Sequence, residues 1–160
     1  LPDKHSVGIK YIQIFACKGE VNMFKKIALS LAVVLISSTA ALAANYIEPQ
    51  ELKELLDKKK PVILVDIQPA ADFEKQHLPG SIETNAFPAG KDEEKARLDK
   101  ALIIIKASKD PVVVVCPRGK TGAKNSYNYL ESKGISEDRM QILEGGIFEW
   151  PYKELFVKGR

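Results

Sequence analysis

Soft metal ligands are scarce in this chain. Its 160 residues hold two cysteines, Cys17 and Cys116, and two histidines, His5 and His77. From residue 44 onward only Cys116 and His77 remain. That is too few for a zinc site built from cysteine and histidine, so no metal and no cofactor is expected. A basic excess is missing too. The net charge of +3 lies wholly in residues 1–43, where Lys4, Lys10, Lys18, Lys25 and Lys26 face Asp3 and Glu20. The rest of the chain is neutral, without the basic stripe that nucleic-acid binding calls for. Internal repeats and low-complexity linkers are also absent, so residues 44–160 read as one domain with a core over about 47–155.

No apolar run reaches the roughly 20 residues of a spanning helix. The longest begins inside MFKKIALSLAVVLISSTAALAANY, Met23 to Tyr46. Lys25 and Lys26 supply a positive start, Ile27 to Ile36 an apolar core, and Ala41-Leu42-Ala43 a small-x-small cleavage site. This is the layout of a signal peptide over residues 23–43. The expectation is cleavage after Ala43, export to the periplasm and no membrane anchor after processing. A segment of 22 residues precedes Met23 without clear periodicity. Back-translation of Lys18-Gly19-Glu20 permits a bacterial ribosome-binding site, so residues 1–22 are expected to be a gene-start artefact or an unstructured leader. Cys116 would then be the sole thiol of an exported protein, unable to form an internal disulfide.

Apolar runs alternate with helical patterns along the remaining chain. Glu48 to Lys59 suits a helix with Pro49 early and Leu52, Leu55 and Leu56 on one face. Val62 to Val65 reads as a buried strand leading to Asp66. A short helix follows Pro69, and His77-Leu78-Pro79-Gly80 forms a turn before a brief strand at Ser81-Ile82. Glu93 to Ala107 reads as one helix, with Leu98, Leu102 and Ile105 inward. Val112 to Val115 is an uninterrupted apolar strand of the kind a parallel sheet covered on both faces requires. A helix over Ala123 to Lys133 closes at Gly134. Met140 to Leu143 forms a further strand, Gly145-Gly146 a sharp turn, and Ile147 to Leu155 a last helix. Such alternation predicts an α/β protein, a three-layer sandwich around a mainly parallel sheet. Ligands in such sheets bind beyond the carboxyl ends of the strands, where both Cys116 and Asp66 fall.

The segment VVVVCPRGKTGAKNSYNYL, Val112 to Leu130, places the thiol between a strand and a helix start. A buried inert cysteine is the bland alternative, since free cysteine is among the most buried residue types. Pro117, Arg118, Gly119, Lys120, Thr121 and Gly122 make a polar loop instead. Gly119-Lys120-Thr121 has the end of a phosphate-binding loop, but that motif's first glycine falls at Val114. A cysteine phosphatase needs an arginine six residues after the nucleophile, which here is Gly122. Sulfur transfer is the third possibility. The thiolate, rather than the thiol, is the nucleophile, and it is stabilised by free amides at a helix N-terminus and by nearby cations. Arg118, Lys120 and Lys124 supply positive charge, Thr121 a hydroxyl, and the loop amides a cradle for an anion.

The chain from about 47 to 155 resembles the single-domain rhodanese family of sulfurtransferases. VILVD (Val62–Asp66), FEKQHLPG (Phe73–Gly80), VVVVCPRGKT (Val112–Thr121) and LEGGIFEW (Leu143–Trp150) carry the resemblance. It implies the rhodanese-like fold and Cys116 as the catalytic residue. It also implies a two-step exchange. Cys116 takes sulfur from a donor such as thiosulfate or polysulfide, forming a persulfide, and a thiol or cyanide-like acceptor removes it. The implied partners are therefore small sulfur-containing anions and that acceptor, with no nucleic acid. Gln68 and Thr121 stand where many family members carry arginine, and Gln76 stands where the family has glycine. The other reading is accordingly a non-catalytic rhodanese module that carries or senses sulfur or binds a protein partner. Asp66 is expected either to organise the active loop or to cap the next turn. Gln68 is expected near the pocket rim, His77 to steady its turn, and Trp150 to close the core.

Overall fold

Two runs without a polar interruption, one ending at Asp66 and one at Val115, lie side by side at the centre of the sheet. The computed structural model describes residues 44–160. Cys17, the Met23–Ala43 segment and residues 1–22 lie outside the described residues. The described chain runs β1 (Tyr46–Ile47), α1 (Pro49–Asp57), β2 (Ile63–Asp66), α2 (Ala70–Lys75), β3 (Ile82–Glu83), α3 (Asp92–Ala96), α4 (Asp99–Ala107), β4 (Val112–Val115), α5 (Thr121–Ser132), β5 (Met140–Leu143) and α6 (Gly146–Glu149). Short 3-10 turns sit at Glu137–Arg139 and Lys153–Leu155. The strands form one sheet in the order β1-β5-β4-β2-β3, and every pairing is parallel.

The pleat sorts the core into two layers, because successive residues of a strand face opposite sides. Ile63, Val65, Val112 and Val114 point to one side and meet Leu98, Ala101 and Ile105 together with Ala123, Tyr127 and Leu130. Leu64, Val113 and Val115 point to the other and meet Leu52, Ile147 and Trp150. Helices therefore cover both faces, which explains why β4 can be four consecutive valines, all fully buried. Each such side chain contributes roughly 1.5–3 kcal/mol by leaving water. The fold is the expected three-layer α/β sandwich.

Several boundaries differ from the sequence reading, each for a local reason. The helix expected over Glu93 to Ala107 is two helices, α3 and α4. Between them Leu98 N–H donates to Lys95 O (2.9 Å), a tight turn that carries Leu98 into the core. There the Arg97 guanidinium reaches Asn85 O at 2.8 Å. Pro151 divides the helix expected over Ile147 to Leu155. Proline lacks an N–H and drives the preceding residue out of helical geometry, and Trp150 accordingly has φ −63 and ψ 114. Helix α5 starts at Thr121 rather than Ala123, because Lys120 O already accepts the Lys124 N–H at 3.1 Å. Strand β1 was not anticipated. It has only two residues, too short for a period to show.

Strand order fixes where a ligand can bind. From β2 the chain passes to β3 on one side and then to β4 on the other. The crevice at such a reversal, beyond the carboxyl ends of the strands, is the usual ligand position. Cys116 follows β4 directly, at this crevice.

Candidate functional site

Cys116 leaves β4 where strand hydrogen bonding stops, and the four residues Pro117 to Lys120 turn the chain into α5. The turn brings the Gly119 N–H to the sulfur, donating to Cys116 Sγ at 2.9 Å. Thr121 and Gly122 open α5, so their amides have no carbonyl four residues back to bond within the helix. The positive end of the helix dipole thus adjoins the sulfur.

A second backbone segment supports the loop from beneath. Ile147 N–H donates to Cys116 O (2.9 Å) and Phe148 N–H to Pro117 O (3.0 Å). The approach requires Gly146, which has φ +62. A Cβ there would collide with Cys116 O and lie 2.7 Å from both Arg118 N and Gly119 N. Gly119 meets the same limit from the other side, since its Cβ would lie 2.7 Å from Leu143 O and 2.9 Å from Gly145 N. The two glycines let the Cys116 loop and the α6 turn touch backbone to backbone.

The sulfur faces a cavity of about 220 Å³ lined by Phe87, Pro88, Cys116, Arg118, Lys120, Thr121 and Gly122. Arg118, Lys120 and Thr121 are exposed at its mouth. Cys116 itself is only 1% exposed, so a reagent must enter the cavity to reach it. Among the described residues Arg118 and Lys120 form no ion pair. The Arg118 guanidinium lies 5.0 Å from the centre of the Phe148 ring. The cavity therefore holds a thiol, free amides and two uncompensated cations, an arrangement able to stabilise a sulfur anion and to receive an anionic partner.

Of the candidate residues, the structure brings together Cys116, Arg118, Lys120, Thr121 and Gly122 around the cavity, with Gly119 on the sulfur. Pro117 is buried, with its carbonyl bonded to Phe148. Lys124 is exposed on α5 and does not line the cavity. Asp66, Gln68 and His77 also stand apart from it.

Asp66 is fully buried at the end of β2. Its carboxylate accepts hydrogen bonds from Gln68 N–H (2.8 Å) and Gln68 Nε2 (3.0 Å), so of its two expected roles it caps the next turn. Burial pushes its carboxyl up to about 7, against the opposing Gln68 hydrogen bonds and with a smaller contribution from the Glu83 charge. Gln68 is corrected in position. It is 1% exposed and spent on Asp66 and on Gln76 O (3.3 Å), not on the pocket rim. His77 stacks on Phe73 with ring centres 3.8 Å apart. Its Nδ1 is 2.9 Å from Phe73 O, and its backbone pairs with Val157.

Phe87 and Pro88 were not among the candidates. They come from the segment between β3 and α3, which carries no local motif. Hydrogen bonds to the end of β2 set their place. Thr84 N–H and hydroxyl donate to Asp66 O (2.9 and 2.8 Å), and Phe87 N–H to Ile67 O (2.8 Å). Ile67 N–H in turn donates to Val115 O at 2.9 Å, beside Cys116. In the sequence they show only as an aromatic residue followed by proline. Among the described residues no cluster of acidic, cysteine or histidine side chains could hold a metal ion, and no helix is long and apolar enough to cross a membrane.

A parallel sheet with a cysteine loop at its switch point, braced by a glycine pair, defines a class of protein. The rhodanese-like domain model matches residues 48–153, and the chain belongs to that family. The chain is similar to the thiosulfate sulfurtransferase GlpE of Pseudomonas savastanoi pv. phaseolicola, 28% identical over 115 residues, covering 71% of this chain and 94% of the relative. Among solved structures it shares its fold with a rhodanese-like domain protein from Staphylococcus aureus, at TM-score 0.52 and 24% identity over 72% of this chain and 99% of the other. It also shares it with a thiosulfate sulfurtransferase from Pseudomonas aeruginosa, at TM-score 0.55 and 21% identity over 73% of this chain and 20% of the other. Family membership and the curated relative support sulfur transfer as the family-level chemistry.

Proposed function

We propose that the chain is a sulfurtransferase in which Cys116 carries the sulfur as a persulfide. The observation that carries this reading is the Gly119 N–H on Cys116 Sγ at 2.9 Å, at the floor of a cavity whose mouth is cationic. The thiolate attacks the outer sulfur of a thiosulfate- or polysulfide-like donor. A new S–S bond forms as the donor's bond breaks, and the remainder leaves with the bonding pair, sulfite in the case of thiosulfate. A cyanide-like or thiol acceptor, the thiol reacting as its thiolate, then takes the outer sulfur and restores the Cys116 thiolate. Neither exchange, thiolate with donor or persulfide with an anionic acceptor, moves a proton, so neither step calls for a proton-transfer residue. His77, placed away from the cavity, agrees with this.

A second reading draws on two observations: the 1% exposure of Cys116, and Gln68 and Thr121 where many family members carry arginine. It is a quiet module that holds or senses sulfur, or binds a protein partner. Cyanide-dependent thiocyanate formation, measured on wild type and Cys116→Ala, separates the two. The enzyme reading expects activity that Cys116→Ala abolishes, whereas equal rates from both proteins would end it.

We infer also that the protein is exported and processed after Ala43, on the strength of the Lys25-Lys26 start, apolar core and Ala41-Leu42-Ala43 site. N-terminal sequencing of the secreted protein checks this. A chain that retains the Met23–Ala43 segment would contradict it.

A further inference from the structure

Helix α4 is apolar on its exposed side as well as on its buried one. Ala101, Leu102 and Ile105 lie in the core. Residues three and four apart share a helix face, so Lys100, Ile103, Ile104 and Ala107 line the other side, and all four are exposed. Ile103 is 75% and Ile104 47% exposed. Neither belongs to either core cluster. Helix formation does not call for them, since isoleucine favours a helix less than alanine, lysine or glutamate does.

The rim of this apolar pair is basic. Lys100, Lys106 and Lys109 are exposed, and among the described residues none of them forms an ion pair. Asp99 is the one exposed acid between residues 97 and 110, and its carboxylate accepts the Tyr129 hydroxyl at 2.7 Å. Glu83, whose charge acts on Lys100, is held by Arg160 at 3.2 Å. An exposed apolar patch rimmed by charge is the layout of an interaction site.

Size and charge together select the occupant. A second copy seated on this face would bring uncompensated lysines against their own kind. The face is also small. The 9 residues of α4 span about 13 Å, whereas each partner of a stable dimer gives up roughly 800 Å². An anionic bilayer meets neither difficulty. It attracts lysines, and it takes an apolar helix face at its headgroup boundary without needing a shaped partner.

We propose that the outer face of α4 rests on an anionic lipid surface. Ile103 and Ile104 enter among the headgroups, and Lys100, Lys106 and Lys109 meet the phosphates. No residue of α4 lines the Cys116 cavity, so the docked protein keeps that cavity free. The proposal stands apart from the sulfur-transfer reading and does not depend on it.

The test is co-sedimentation with vesicles of phosphatidylcholine mixed with an equal part of phosphatidylglycerol. Wild type is compared with Ile103→Gln/Ile104→Gln, Ile103→Leu/Ile104→Leu and Lys100→Gln/Lys106→Gln. The readout is each partition coefficient relative to wild type, so whatever residues 1–43 contribute is common to all. Wild type is expected to bind and to be released as salt is raised. Ile103→Gln/Ile104→Gln is expected to lower partitioning about tenfold, and Lys100→Gln/Lys106→Gln by at least about as much. Ile103→Leu/Ile104→Leu is expected to keep the wild-type value. The isoleucine and lysine variants probe the face separately, so poor folding of one leaves the other to decide. Wild type that fails to bind, or variants that bind as wild type does, would overturn the proposal. So would a wild-type dimer that forms without lipid and is lost in Ile103→Gln/Ile104→Gln, because the face would then belong to a second copy.

Discussion

No side chain fits between Gly146 and Cys116. The backbone of the α6 turn lies so near the cysteine carbonyl that a Cβ on Gly146 would collide with Cys116 O. The loop around the sulfur is therefore shaped by a segment thirty residues further along the chain. Gly146→Ala must push the two backbones apart and also place an L side chain at φ +62. The expected cost is about 2 kcal/mol or more in urea unfolding. Sulfur transfer is expected to fall further than the loss of folded protein explains. Full activity in a destabilised Gly146→Ala would show that loop shape is immaterial.

The contact between Arg118 and Phe148 holds a cation over the cavity mouth. Phe148 is 55% exposed, so its removal leaves the core intact. A cation–π contact at an exposed site is worth about 0.5–1 kcal/mol. Phe148→Ala is accordingly expected to raise KM for an anionic donor about two- to fivefold, with little change in kcat. Steady-state kinetics with thiosulfate measures both.

Asp66 makes a prediction in the pH dependence of stability. Burial raises its carboxyl to about 7 in the folded chain, against about 3.9 in an unfolded one. The unfolded state thus gives up this proton first as pH rises. The stabilisation is fully present below about pH 4 and is lost as pH climbs through 7. Its size is up to about 4 kcal/mol. Urea unfolding of wild type and Asp66→Asn at pH 4.5 and pH 8 isolates the effect. The stability of wild type relative to the variant is expected to fall across that interval. No change would mean that the carboxylate stays ionised throughout, and a rise that the fold favours its ionised form.

His77 is expected to matter for stability and not for turnover. Its ring stacks on Phe73 and its Nδ1 meets Phe73 O, while its backbone anchors Val157. His77→Ala is expected to lose about 1–2 kcal/mol in chemical denaturation and to keep its kcat. Loss of kcat in folded protein would assign the imidazole a chemical role.

The central strands were legible because a parallel sheet covered on both faces favours unbroken apolar runs, so Val62–Val65 and Val112–Val115 announce themselves. The cysteine loop was legible because Cys116 to Gly122 are contiguous in the sequence. What the sequence concealed is non-local. Phe87 and Pro88 reach the cavity only because Thr84 and Phe87 hydrogen-bond to the end of β2. The role of the glycine pair depends on Gly119 and Gly146 meeting in space. Gln68 was expected near the cavity rim from its place after β2, but a buried carboxylate two residues earlier claims its amide. The break between α3 and α4 has no proline or glycine to mark it. A tight turn at Leu98 and the Arg97 bond to Asn85 O accompany it, and Asn85 is distant in sequence.

The most direct measurement is the intact mass of the protein after incubation with thiosulfate and removal of excess donor, for wild type and Cys116→Ser. The account predicts wild type heavier by one sulfur atom, restored to its original mass by cyanide, and Cys116→Ser unchanged throughout. A wild-type protein that gains no sulfur, or a Cys116→Ser protein that gains as much, would contradict it.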